Sequence, residues 1–85
     1  MLRYRAVYQK EAIANLEMNV RQRFEGEGLE EARFQAFGVD AVGGKLATRT
    51  NLDVPESFTL IQRSRVMQIA GEECSRLIQE RYGAV

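Results

Sequence analysis

The chain has 85 residues, 45% of them hydrophobic and 28% charged, with twelve basic and twelve acidic side chains that cancel to zero net charge. Such a composition suits an ordinary globular domain rather than a disordered segment, and the balance sets up no global field toward nucleic acid or anionic membrane. The single cysteine allows no internal disulfide, and the absence of histidine removes the commonest general base and metal ligand.

One small domain over residues 1–85 is expected. A chain of this size buries only about 60–65% of its unfolded surface, so self-association is an expected source of added stability. The sequence shows no secretory signal, no apolar run of membrane-spanning length and no N-glycosylation sequon. A reducing, cytoplasmic setting without membrane contact is the expectation.

The first predicted element is a helix. Ala12, Ile13, Leu16, Val20 and Phe24 recur at helical spacing, with Glu11, Asn15, Asn19 and Gln22 on the opposite side. Leu2, Ala6 and Gln9 continue the stripe backwards, which gives one long helix from about residue 3 to 25. A competing pattern lies in LRYRAVY, where Leu2, Tyr4, Ala6 and Tyr8 alternate as in a short N-terminal strand. The unbroken stripe, with no Gly, Pro or N-cap between Tyr8 and Ala12, favours the helix.

Gly26 and Gly28 can end that helix, since glycine accepts the left-handed conformation that closes one. Glu25, Glu27, Glu30 and Glu31 cluster here. No Asp-x-Asp-x-Asp-Gly pattern accompanies them, so a solvated connector is expected rather than a calcium loop.

Gly43-Gly44-Lys45 raises the question of phosphate binding. A P-loop requires a glycine five residues before its Gly-Lys pair and a Ser or Thr after the Lys; Val39 and Leu46 occupy those places. The pair instead suits a two-residue hairpin turn, whose central residues both adopt positive φ. Closing the turn there pairs Val42 with Lys45, Ala41 with Leu46 and Val39 with Thr48. Continued without interruption, it pairs Phe37 with Thr50 and Gln35 with Leu52. One face then carries Phe37, Val39, Ala41, Leu46 and Leu52, with Phe34, Ala36 and Val42 as exceptions on the other.

A second long helix is expected after the hairpin. Asp53 caps it, Pro55 fits its first turn, Glu56 completes a capping box, and Gly83 stops it after about Tyr82. Leu60, Val66, Met67, Ala70, Cys74, Leu77 and Ile78 line one face, whereas Phe58, Ile61 and Ile69 fall off it near Arg65 and Arg76. Apolar residues on two sides of a helix imply two things to pack against: the chain's own core, and another copy or a partner.

No catalytic constellation is visible. Cys74 lies at helical spacing with Met67, Ala70 and Ile78 and has no base to activate it. Ser57, Ser64 and Ser75 lack Lys or His at any recognised spacing, and neighbouring Glu72 and Glu73 point about 100° apart on a helix, too far for a carboxylate dyad. The pairs Arg3/Arg5, Arg21/Arg23 and Arg63/Arg65, with Lys45 and Arg49 on the hairpin, could meet phosphate, but each pair sits among glutamates and its members diverge.

The expectation is therefore an α+β fold: long helix, two-stranded hairpin, second long helix. Its expected role is a non-catalytic, homo-oligomeric interaction module serving as adaptor, regulator or structural subunit. Phe58, Ile61, Arg65 and Ile69 are the candidate partner interface; no cofactor or metal is expected. The alternative is a nucleic-acid-binding regulator that uses Lys45, Arg49, Arg63 and Arg65.

Overall fold

The computed structural model describes residues 2–81, with side chains from residue 10 onward except at position 42. Helix α1 spans Leu2–Gly26, strand β1 Arg33–Val42, strand β2 Lys45–Asp53 and helix α2 Leu60–Arg81. This is the expected α+β order, and residues 2–8 belong to α1 rather than to a strand. Tyr82 and Gly83, the expected end of α2, lie outside the described residues.

The α1 stripe folds as its spacing dictates. Ala12, Leu16, Val20 and Phe24 are buried, and Ile13 packs against them half-buried. The helix closes at Gly28 rather than Gly26. Leu29 N–H donates to the Phe24 carbonyl at 2.7 Å, Gly28 N–H donates to the Glu25 carbonyl at 3.2 Å, and Gly28 sits at φ 72°. These are the two bonds of a Schellman motif, and the apolar contact that accompanies it is supplied by Phe24 and Leu29, both buried.

The hairpin turns at Gly43 and Gly44, whose φ values of 58° and 80° are those a two-residue turn demands. Pairing near the turn follows expectation: Val42 opposite Lys45, Ala41 opposite Leu46, Val39 opposite Thr48. Farther out it does not. Gly38 faces Arg49 and Ala36 faces Thr50, leaving Phe37 as an unpaired extra residue, a β-bulge. The bulge shifts the remaining register by one, so Phe34 faces Leu52 and Gln35 faces Asn51.

The consequence for the core is a reversal. Phe34 is 1% exposed and Ala36 is buried, while Phe37 is 59% exposed. Phe34 and Ala36, sorted as exceptions by uninterrupted pairing, belong to the core and Phe37 does not, because one inserted residue exchanges the faces beyond it.

Helix α2 begins later than expected. Asp53 closes β2, and Pro55 opens a turn in which Phe58 N–H donates to the Pro55 carbonyl at 3.1 Å. The capping box is six residues on. Thr59 N–H donates to Gln62 Oε1 at 2.8 Å, and Gln62 N–H donates to Thr59 Oγ1 at 3.1 Å. The delay lets Val54 and Phe58 reach the core from the connection.

Both helices cover the same face of the hairpin. Phe24, Phe34, Ile69, Val20 and Val66 form the fully buried centre. α1 also seals part of β1's outer edge: Ala36 N–H donates to Glu17 Oε2 at 2.8 Å, and Arg21 Nη2 donates to the Phe34 carbonyl at 3.4 Å. Those outward-facing strand groups are thereby paired.

Candidate interaction surface

Helix α2 meets α1 along a line of charges. Arg23 of α1 is gripped by two sequence neighbours, with Nη2 2.9 Å from Glu72 Oε1 and Nη1 2.9 Å from Glu73 Oε2. Glu73 is 3% exposed and gains a second contact from Arg76 at 3.5 Å. Glu72 and Glu73 thus form no dyad of their own; they converge on one guanidinium. The hydrogen bonds that Arg23 donates to Glu73 and Glu72 raise its own pKa, and the same donation holds the Glu72 carboxyl below its ordinary value.

A second pair joins α2 to Glu27, just past the end of α1. Arg65 donates to both Glu27 oxygens, Nε to Oε1 at 2.7 Å and Nη2 to Oε2 at 2.6 Å. This bidentate bond lowers the Glu27 pKa and raises that of Arg65. Arg65, expected at a partner interface or on nucleic acid, is engaged by Glu27 of the same chain.

The other expected interface residues separate. Ile69 is 0% exposed and stands in the chain's own core, and Phe58 packs half-buried against that core. The expected intermolecular role of Ile69 is therefore corrected: an Ile at the α1–α2–hairpin junction has no free surface to offer. Ile61 is 82% exposed, as are Leu60 at 82% and Met67 at 64%. Leu60 and Met67, assigned from the sequence to the core face, stand outside it.

The cations of the alternative reading are largely engaged. Arg49 Nε lies 3.4 Å from Asp40 Oδ2, Arg63 Nη2 donates to the Pro55 carbonyl at 3.0 Å, and Arg65 holds Glu27. Lys45 is exposed at the hairpin tip.

Cys74 is half-buried against the core beside Thr48. Burial pushes the thiol pKa up and Glu73 adds to this; the Thr48 hydroxyl pulls the other way and loses. That hydroxyl is buried without a hydrogen bond of ordinary geometry, so its link to sulfur is a weak one. Among the described residues, no three Cys, Asp or Glu side chains converge as a metal site. Among the same residues, no helix is long and apolar enough to cross a membrane.

What α2 exposes is a flank without charge. Leu60, Ser64, Met67, Gly71, Cys74 and Ile78 follow one another at steps of four and three, and Ile61, Gln68, Ser75 and Gln79 lie beside them. At about 100° per residue these positions fill an arc of roughly 140° with no ionisable side chain except the half-buried thiol. The helix's Arg65, Glu72, Glu73, Arg76 and Glu80 gather on the α1 side, with Arg63 and Arg81 at the margin near the hairpin. Sequence reasoning missed this flank because it sorted α2 by apolar residues rather than by where charge is missing.

Compared with protein-family models, with curated proteins and with solved structures, the chain matches none.

Proposed function

We propose that this protein is a non-catalytic, self-associating interaction module, and that the uncharged flank of α2 is the surface through which it acts. The observation that carries this reading is the exposure of Leu60, Ile61 and Met67 on a flank that bears no charge, in a chain that is 28% charged. Depletion of charge at the centre, with Met and aliphatic side chains in its place, distinguishes the core of a protein interface from ordinary surface. A domain this small, without disulfide or metal, also gains stability by sharing such a surface. The half-buried, unpaired thiol of Cys74 suits a reducing setting such as the cytoplasm.

The test is sedimentation of the wild-type chain beside a Leu60→Glu/Met67→Glu variant. Each apolar side chain buried in a contact is worth roughly 1.5–3 kcal/mol, or about 10- to 100-fold in association. The wild type is expected to sediment above monomer mass, and the variant to dissociate with its helical circular dichroism intact, since neither residue serves the core. A wild type that stays monomeric at high concentration refutes self-association.

A further inference from the structure

The self-association proposed above leaves open how two copies would meet, and β2 offers an answer. Among the described residues the sheet has two strands, so β2 has β1 on one side and no described strand on the other. The direction of its backbone groups follows from both ends of the hairpin. At the base, Ala36 N–H and the Phe34 carbonyl turn outward to Glu17 and Arg21, so their opposite residues, Thr50 and Leu52, turn outward from β2. At the tip, Val42 and Lys45 close the two-residue turn as a hydrogen-bonded pair, so alternation sends Leu46 and Thr48 outward. The free edge of β2 therefore presents the N–H and C=O of Leu46, Thr48, Thr50 and Leu52.

We infer that this edge pairs antiparallel with the same edge of a second copy, centred on Arg49, to give a four-stranded sheet β1-β2-β2-β1. The strand reads Lys45-Leu-Ala-Thr-Arg49-Thr-Asn-Leu-Asp53. Reversed on itself about Arg49, it sets Lys45 against Asp53 of the second copy, Leu46 against Leu52, Ala47 against Asn51 and Thr48 against Thr50. Opposite charges meet at both ends, and leucine and threonine pairs meet between them, all favourable as cross-strand neighbours. In this register the outward-facing residues meet one another, giving about eight new ladder hydrogen bonds. Arg49 meets its own counterpart on the axis, where each guanidinium already has Asp40 beside it. Sliding the second copy by one residue sets outward-facing backbone groups against inward-facing ones, and sliding it by two parts Lys45 from Asp53.

The helices fit the same arrangement. Arg23 and Glu27 mark the α1 side of α2, and Cys74 beside Thr48 marks its sheet side. The uncharged flank faces away from α1, over the free edge of β2. A second copy joined at that edge brings its own α2 alongside, flank to flank and antiparallel. Gly71, Cys74 and Ser75, the small residues of the flank, lie nearest the axis because Thr48 adjoins Arg49. Close approach there needs small side chains, and like charges on a two-fold axis would repel; the flank has the first and lacks the second.

The register is tested by disulfide trapping in the full-length chain with Cys74→Ala as background. Arg49→Cys places the two new thiols directly across the axis, within disulfide reach. Ala47→Cys places them four residues out of step, about 13 Å apart, so its trapping is expected to be at least about tenfold slower. A charge exchange gives a second reading: Lys45→Asp alone and Asp53→Lys alone each weaken the dimer, and the two together restore it. A dimer that traps no faster through Arg49→Cys than through Ala47→Cys, or is indifferent to the exchange, overturns edge pairing while leaving self-association standing. A monomeric wild type overturns both.

Discussion

The two halves of the hairpin are built on opposite terms. At its base, residues 33–36 and 50–53 lie beneath two helices, with Phe34 at 1% exposure in the centre of the core and Leu52 packed against it. Toward its tip, Asp40, Ala41 and residues 43–47 are exposed whichever face they point to. The base is held by what packs on it, and the tip by the Gly43-Gly44 turn. Phe37 is where one regime gives way to the other: the turn dictates pairing outward as far as Gly38, the core dictates it inward from Ala36, and the mismatch is absorbed in a single bulged residue. Register in a strand pair can thus be set twice, and a bulge reconciles the two settings.

The largest break in this contrast is expected from Phe34→Ala. Removing a fully buried aromatic ring costs about 3–5 kcal/mol, enough to unfold much of a domain this small. Urea denaturation followed by circular dichroism measures it, and a loss below about 1 kcal/mol would mean that the base is not core.

A smaller loss is expected from Arg23→Gln, which leaves Glu73 buried with only the longer Arg76 contact and costs about 1–3 kcal/mol. The variant also alters the response to acid. Glu72 and Glu27 have folded pKa values below the ordinary 4.5, so their ion pairs add stability above about pH 4.5 and lose it as pH falls through the lowered values. Thermal midpoints between pH 3 and 7 are expected to fall less steeply in the variant, because the contribution of Glu72 is gone; both carboxylates are well exposed, so the difference is modest.

The smallest effect is expected from deleting Phe37. The shortened β1 pairs its next residue, Gly38, with Arg49 without interruption, and Phe34, Ala36 and Val39 keep their face. Stability within about 1 kcal/mol of wild type, by the same denaturation, would confirm that the bulge only reconciles two registers. A larger loss would show that the bulge itself is needed.

Much of the architecture was legible because local signals carried it. The α1 stripe and the paired glycines each name their element without help from the rest of the chain. The bulge left a trace too: apolar residues at 34, 36, 37 and 39 fall on both parities of one strand, a conflict that only a register break resolves. The start of α2 is ambiguous in the sequence because Asp53/Glu56 and Thr59/Gln62 both have capping-box spacing, and choosing between them depends on Val54 and Phe58 packing from the connection. The inner face of α2 was hidden by Glu73, which stands in the buried row between Ala70 and Leu77. A glutamate there reads as surface until Arg23, fifty residues away, is brought to it. The candidate interaction surface is obscured for the same reason, because assigning Ile69 outward and Leu60 and Met67 inward turns α2 about its axis.

The Glu17 carboxylate that accepts the Ala36 N–H gives the hairpin a valence. A ribbon with two open sides can add neighbours without end, as fibrils do. Here one side is stoppered at its base by Glu17 and Arg21, so under the proposed edge pairing strand-by-strand growth would begin at one place only and be spent after a single addition. Two copies joined through their open sides show only stoppered ones to the solution. In the proposed dimer, the same carboxylate that satisfies one backbone amide would thus separate a finite assembly from a polymer.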